Sequence, residues 1–263
     1  MKHWQLDQSE NVVVARFSNP PMGYFCAHAA QELGELIEAW QAPDIRAIVL
    51  TGQSGRFITH YSVEELVAFG EDDDQMEEVG TALSDGYHDL LQSLGELPKP
   101  VIAAITGDCM GGGFELAMWC DIRIIGTGDY RLGLPEILLG IMPGGSGTQK
   151  LTALVGPHLA REMILTGTIL TPHQALERGV VHRVEDDPVS ASIKLARQFR
   201  RRNPRAVANI KAAIAEADTT TKKGLHVEAE CFLDTMRHPN ALATMKAYLS
   251  TPANERRDWL LKQ

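Results

Sequence analysis

The sequence lacks long apolar runs, and none reaches the roughly 20 residues that a membrane-spanning helix needs. Residues 1–7 contain neither the apolar core of a signal peptide nor the arginines of a transit peptide. We therefore expect no association with a membrane and a cytoplasmic location.

Cysteine is scarce, and no CxxC or CxxH spacing occurs among Cys26, Cys109, Cys120 and Cys231. This scatter is typical of reduced thiols and indicates neither a disulfide framework nor a zinc site. The sequence also lacks a dinucleotide fingerprint, and the glycines at 144, 145 and 147 lack the Gly-Lys-Ser/Thr of a phosphate loop. We therefore expect no metal and no redox cofactor.

Positive charge is also in deficit, with 25 Lys and Arg against 34 Asp and Glu and a net charge of −9. A chain of this charge does not favour nucleic acids or anionic membranes, which require a basic face. The acidic run at 71–74 lacks the glycine and alternating ligands of a calcium loop, so we interpret it as a solvated loop.

Strands and helices alternate along the first part of the chain, which predicts an α/β core with parallel strands. The strands are predicted at 12–17, 45–51, 101–105 and 180–184. From Asp187 onward only helical patterns follow, predicted at 190–202, 204–217, 222–236, 239–249 and 252–261. We therefore place a boundary after residue 187, between a 1–187 core and a 188–263 helical region.

Glycine and glutamate are concentrated between Val101 and Gln149. An apolar strand at 101–105 is followed by Gly111–Gly113 and then by a short apolar helix that contains Glu115. The free N–H groups at such a helix start can bind an anion or a developing oxyanion. A second carboxylate, Glu136, precedes the second glycine cluster.

This stretch resembles the enoyl-CoA hydratase/isomerase (crotonase) superfamily. The matching motifs are AxxGxxxGGGxELAMxCD from Ala104 to Asp121 and GLPEILLGIMPGGSGTQ from Gly133 to Gln149. The resemblance implies a β-β-α superhelix core and a C-terminal helical trimerisation region, in a homotrimer or a dimer of trimers. It also implies an acyl-CoA thioester as substrate, with coenzyme A entering only as part of that substrate.

The resemblance assigns roles to particular residues. Glu115 matches the glutamate that activates water, Glu136 the one that protonates the α-carbon, and Gly112 a backbone N–H donor of the oxyanion hole. Ser62 and Glu65 form a predicted capping box, so a helix should begin near Val63, and alignment there gives Tyr61 as the second donor.

The segment before that helix departs from the family pattern. Thr59-His60-Tyr61-Ser62 stands where Ala-Gly-Ala-Asp is common, so His60 either lines the pocket or only packs. We assign His60 and Gly111 to substrate binding, and Lys246 to the phosphates of coenzyme A. Outside the matched motifs, either glutamate alone could equally be a residue that complements a helix dipole.

The resemblance favours an enoyl-CoA hydratase of fatty acid metabolism, because related isomerases commonly lack the first glutamate. The alternatives are an isomerase, an acyl-CoA hydrolase, a decarboxylase or a non-catalytic acyl-CoA-binding scaffold. A serine hydrolase has little support, because Thr148 breaks the Gly-x-Ser-x-Gly pattern around Ser146. We expect Asp121 to form structural hydrogen bonds.

Overall fold

A computed structural model describes residues 1–53, 55–70 and 82–216 and the single positions 74, 78, 250 and 252. The chain divides into two compact units, Met1–Arg197 and Gln198–Gln263. This division falls at the end of a helix that begins at Pro188, whereas the sequence analysis placed the boundary at its start. The assignment of 1–187 and 188–263 as functional regions stays a prediction.

Several predicted features lie outside the described residues. They are Lys246, Cys231, most of the acidic run at 71–74, and the helices predicted at 222–236, 239–249 and, except for position 252, at 252–261.

The first unit is built on a six-stranded sheet with the order β1-β2-β3-β4-β6-β9. Its strands are β1 (Trp4–Ser9), β2 (Val12–Phe17), β3 (Ala47–Gly52), β4 (Val101–Ile105), β6 (Ile122–Gly126) and β9 (Arg183–Glu185). The β1–β2 pair is antiparallel and every other pair is parallel, which confirms the predicted parallel core. Both β3 and β4 are buried along their whole length, as their apolar sequences require.

Helices occur in both units. They are α1 (Ala27–Ala39), α2 (Val63–Gly70), α3 (Ala82–Gly95), α4 (Gly112–Trp119), α5 (Gly147–Thr166), α6 (Pro172–Glu177), α7 (Pro188–Gln198) and α8 (Pro204–Ala215). Short 3₁₀ turns occupy Glu136–Leu139 and Phe199–Arg201. Helix α5 kinks at Gly156, where φ is 79° and proline follows.

A second, three-stranded sheet positions the glycine turn before α4. It consists of β5 (Cys109–Met110), β7 (Leu132–Gly133) and β8 (Ile169–Leu170) in the order β5-β7-β8. Parallel pairing of β5 with β7 continues into a hydrogen bond of 2.9 Å from the Gly111 N–H to the Gly133 carbonyl. The start of α4 and the segment carrying Glu136 are therefore held side by side.

The sequence analysis missed β1 and β6, for different reasons. In β1 only Trp4 is buried, so this edge strand has no apolar pattern. In β6 the apolar run is interrupted by Arg123, whose buried guanidinium donates to the carbonyls of Val180 and Cys120 at 2.9 and 2.7 Å. These backbone acceptors satisfy the buried cation, so a charged residue is tolerated in a central strand.

Capping-box sequences stand at the starts of α6 and α2. Thr171 and Gln174 form a complete capping box at α6. At α2 the prediction is half wrong: the Ser62 hydroxyl accepts the Glu65 N–H at 3.3 Å, but the Glu65 carboxylate accepts the Ala27 N–H instead of that of Ser62. The Ser62 N–H is already used, because it donates to the Phe25 carbonyl. Glu65 thus joins α2 to the start of α1.

Candidate active site

A cavity of about 930 Å³ lies in the first unit. Six of the seven residues that the sequence assigned to the site line it: His60, Tyr61, Gly111, Gly112, Glu115 and Glu136. The seventh, Lys246, is outside the described residues. The fold therefore gathers residues from three separate segments around one space.

The glycine turn brings the backbone of α4 up to the segment that carries Tyr61. Gly111 has a φ of 48°, a left-handed conformation that favours glycine. Among the described residues, no hydrogen-bond acceptor is found for the Gly112 N–H, which is expected of the first residue of a helix. A Cβ on Gly112 would lie 3.0 Å from the Tyr61 Cβ and 3.4 Å from the Tyr61 nitrogen, so the two backbones nearly touch.

A bridge to Phe25 fixes the Tyr61 segment. The Phe25 N–H donates to the His60 carbonyl at 2.8 Å, and the Ser62 N–H donates to the Phe25 carbonyl at 2.7 Å. This pattern skips Tyr61, and its N–H has no acceptor in the described part of the chain. Two unpaired N–H groups, those of Tyr61 and Gly112, thus belong to adjoining residues of the cavity wall.

Glu115 is a buried carboxylate, 3% exposed, at the start of α4. Its Oε1 accepts the N–H groups of Gly145 and Gly147, each at 2.8 Å. Burial first, and then the nearby Glu136 charge, raise the pKa of Glu115 to about 7. The two N–H donors favour its ionised form and limit this rise.

Glu136 begins the 3₁₀ turn after Pro135 and is 9% exposed. A Cβ on Gly111 would lie only 3.2 Å from Glu136 Oε1, so this carboxyl lies against the glycine turn. Its Oε2 is buried without a hydrogen-bond partner among the described residues. Burial raises the pKa of Glu136 to about 7, while a hydrogen bond from its own backbone N–H acts in the opposite direction.

The two carboxyls therefore differ in the protonation state that their surroundings favour. The N–H groups of Gly145 and Gly147 favour a carboxylate at Glu115, whereas the buried Oε2 of Glu136, without a partner among the described residues, favours a carboxylic acid. Two pKa values close to neutrality let such a pair provide a base and an acid at the same pH. Because the two carboxyl groups interact, the order in which they lose their protons belongs to the pair and not to either residue alone.

His60 both packs and lines the cavity. Its ring stacks on Tyr24, with centroids 4.2 Å apart and planes inclined by 23°. Its Nδ1 lies 2.6 Å from the Tyr61 carbonyl oxygen, which can only accept a hydrogen bond, so Nδ1 is the donor. These contacts hold His60 and Tyr61 in the cavity wall, and their bulky side chains do not fill the cavity.

Tyr87 is a site residue that sequence reasoning missed. Its hydroxyl donates to the Gly112 carbonyl at 2.8 Å, and its ring packs edge-on against Tyr61 at 5.9 Å. Burial first, and then the Glu115 charge, raise the pKa of Tyr87 above its usual range, so it stays neutral. It occupies an ordinary position in a helical pattern, and no local motif marks it.

Asp121 has the structural role predicted for it. Its Oδ2 accepts the Val101 N–H at 2.7 Å, while its own N–H donates to the Val101 carbonyl at 2.9 Å. These bonds fix the start of β4 to the end of α4.

Comparisons with known proteins identify the family to which the chain belongs. The family model for enoyl-CoA hydratase/isomerase matches residues 7–258. The chain belongs to this family. A probable enoyl-CoA hydratase of Bacillus subtilis is 30% identical over 243 residues, covering 90% of this chain and 92% of the relative. The 2,3-dehydroadipyl-CoA hydratase of Escherichia coli is 35% identical, with 77% of each chain covered.

Solved structures support the same assignment. DspI of Pseudomonas aeruginosa superposes with a TM-score of 0.85 at 29% identity, covering 95% of this chain and 94% of that one. The enoyl-CoA hydratase of Bacillus anthracis gives a TM-score of 0.85 at 27% identity, covering 94% and 95%. The fold is therefore the crotonase fold, as the sequence motifs indicated.

Proposed function

We propose that this member of the family hydrates 2-enoyl-CoA thioesters. Water would add its oxygen to the β-carbon and a proton to the α-carbon, converting the double bond to a 3-hydroxyacyl thioester. The observation that carries the proposal is the juxtaposition of two differently held buried glutamates with two unpaired backbone N–H groups at one cavity.

The unpaired N–H groups of Tyr61 and Gly112 would bind the thioester oxygen. Negative charge develops on that oxygen when water attacks the β-carbon, and donors already in place stabilise the resulting enolate. Each such donor contributes about 3 kcal/mol to transition-state stabilisation in comparable sites. Tyr87 supports this arrangement by bonding to the Gly112 carbonyl and packing on Tyr61.

The two glutamates would divide the proton transfers. Glu115, held as a carboxylate by two N–H donors, takes the proton from water. Glu136, protonated in its unpartnered position, delivers a proton to the α-carbon. Coenzyme A is part of the substrate, and the reaction as proposed uses no metal or redox cofactor.

The cavity wall favours an uncharged acyl group. Many lining residues are apolar, including Ala27, Ala30, Val63, Leu66, Phe69, Leu90, Leu139, Ile141 and Met142. Among the described lining residues none is lysine or arginine, while two are glutamates. A terminal carboxylate on the acyl chain would have no cation to meet there, so we infer a hydrocarbon chain.

A different acyl-CoA reaction is the second candidate, because His60 adds a titratable ring beside the donor pair. Isomerisation, hydrolysis or decarboxylation could use the same oxyanion site. A non-catalytic scaffold has less support, because burying two carboxylates is costly without a role for them.

A substrate panel tests these alternatives. The loss of enoyl-thioester absorbance would be followed with crotonyl-CoA, longer 2-enoyl-CoAs and one dicarboxylic enoyl-CoA. We expect rapid hydration of the hydrocarbon substrates, little of the dicarboxylic one, and most activity lost in Glu136→Gln. Binding of CoA esters with no hydration of any substrate would contradict the proposal.

The assembly also belongs to the proposal. We infer a homotrimer or dimer of trimers from the family resemblance. Exposed apolar side chains of the first unit support self-association: Leu138 is 65%, Leu139 61%, Met142 67% and Leu165 70% exposed. No helix in the described part of the chain is long and apolar enough to cross a membrane. The cytoplasmic location stays a prediction.

A further inference from the structure

Two histidines and a glutamate meet on the face of the first unit where β1 begins. His28 and Glu32 lie one turn apart on α1, and His3 comes from the segment just before β1. Their ligating atoms all lie within 4.8 Å of one another, the one such group of three among the described residues. None of the three lines the active-site cavity.

The spacing of these atoms fits a metal ion. His3 Nδ1 is 3.5 Å from Glu32 Oε2, and His28 Nε2 is 3.4 Å from Glu32 Oε1. Zinc bonds of about 2.0–2.1 Å to nitrogen and oxygen in a tetrahedral site put neighbouring ligand atoms about 3.3 Å apart. The two observed gaps, one to each oxygen of Glu32, are therefore close to those of ligands that share one ion, and the distance between the two histidine nitrogens is within 4.8 Å.

His3 Nδ1 provides an independent reason to expect a ligand. His3 is 4% exposed, and its buried Nδ1 makes no hydrogen bond of ordinary geometry in the described part of the chain, although it contacts Glu32 Oε2 at 3.5 Å. The other ring nitrogen, Nε2, faces the Cys26 thiol at 3.9 Å. A buried nitrogen with only a long contact costs free energy, and a cation shared with Glu32 would satisfy it.

Backbone donors hold the Glu32 carboxylate in position. The N–H groups of Lys2 and His3 donate to it and orient it, as partners of metal ligands do in known sites. The His28 side chain is 59% exposed and leaves a path for the ion.

We propose that His3, His28 and Glu32 bind a divalent transition-metal ion of the zinc type. Two imidazoles and one carboxylate form a borderline ligand set that suits zinc better than magnesium or calcium. The ion would join the segment before β1 to α1 and so stabilise the fold. No local sequence pattern marks this site, because its ligands come from two segments 25 residues apart (28 − 3).

The test titrates metal-stripped protein with zinc against a chromogenic chelator and records the melting temperature with and without zinc. The variant is His28→Gln, which changes an exposed side chain and leaves the buried residues intact. The matched control is His173→Gln, because His173 and Glu177 form an exposed pair with the same spacing on α6 and no third ligand.

We expect one tight zinc ion in the wild type and in His173→Gln, with a melting temperature raised by about 5 °C at saturation. His28→Gln should bind zinc at least about tenfold more weakly and lose most of that rise. Equal zinc affinity and equal stabilisation in all three proteins would overturn the proposal, since the zinc would then sit elsewhere. Absence of stoichiometric zinc in the wild type would overturn it as well.

Discussion

At the residue scale, Gly112 and Gly113 are neighbours whose missing side chains matter for different reasons. A Cβ on Gly112 would press on Tyr61, the other proposed donor residue, at 3.0 Å. A Cβ on Gly113 would lie 2.0 Å from the Ile58 carbonyl oxygen, inside the packed backbone. An added Cβ at Gly112 would shift Tyr61, whereas an added Cβ at Gly113 would require the backbone itself to move.

We therefore expect Gly112→Ala to lower kcat/KM for enoyl-CoA hydration by about 10- to 100-fold with little loss of stability. Gly113→Ala should instead lower the free energy of unfolding by about 3 kcal/mol. Steady-state kinetics and urea unfolding of both variants separate the two effects. A Gly112→Ala enzyme with wild-type kinetics would count against the oxyanion role.

The buried Glu136 carboxyl makes stability depend on pH. Its pKa rises from 4.5 when unfolded to about 7 in the fold, so the native state holds a proton that the unfolded chain releases. The wild type should then lose stability as pH rises from about 4.5 to 7, by up to about 3 kcal/mol for this group.

Glu136→Gln removes that dependence. The difference in free energy of unfolding between the variant and the wild type should therefore shift in favour of the variant from pH 5 to pH 8. The difference at pH 5 mainly measures the effect of replacing the carboxyl group with an amide. Urea unfolding of both proteins at these two pH values measures the difference. A constant difference across the range would show that Glu136 is ionised throughout.

At the element scale, α3 contains a glycine with no structural need for it. Gly86 is exposed in the helix, and a Cβ there would meet no atom within 4 Å. Gly86→Ala should raise the free energy of unfolding by about 0.5–1 kcal/mol, because alanine loses less backbone entropy in a helix. Thermal unfolding checks this, and a destabilised variant would mean that α3 is strained at this position.

Elements differ in how well the sequence predicts them. The strands β2, β3 and β4 are mostly apolar runs, so the sequence pattern alone identifies them. The strand predicted at 180–184 is instead β9, Arg183–Glu185, because Val180 and Val181 pack in the turn before it. The two-residue strands of the second sheet carry no pattern at all, yet they position the glycine turn.

The residues of the candidate active site also differ in how well the sequence predicts them. Glu115, Glu136 and Gly112 stand in long motifs and could be found from the sequence. Tyr87 and the N–H donors to Glu115 could not, because their roles arise from contacts between residues 25 to 32 positions apart. Local sequence patterns do not encode such contacts, which depend on how helices and loops pack.

At the scale of the whole molecule, the family resemblance and the exposed apolar side chains lead us to expect self-association. Light scattering coupled to size exclusion should give three or six times the chain mass of 28.9 kDa. A single species at 28.9 kDa that still turns over substrate would show that the active site needs no second copy.

We propose that Glu115 and Glu136 act together in hydrating an enoyl-CoA thioester. The most direct measurement compares kcat for crotonyl-CoA hydration in Glu115→Gln, Glu136→Gln and the double variant, with CoA-ester binding as the control for an intact site. We predict that each single change lowers kcat by at least about 100-fold, and that the double change costs scarcely more than the worse single one. Unchanged kcat in either single variant, with binding retained, would contradict the account.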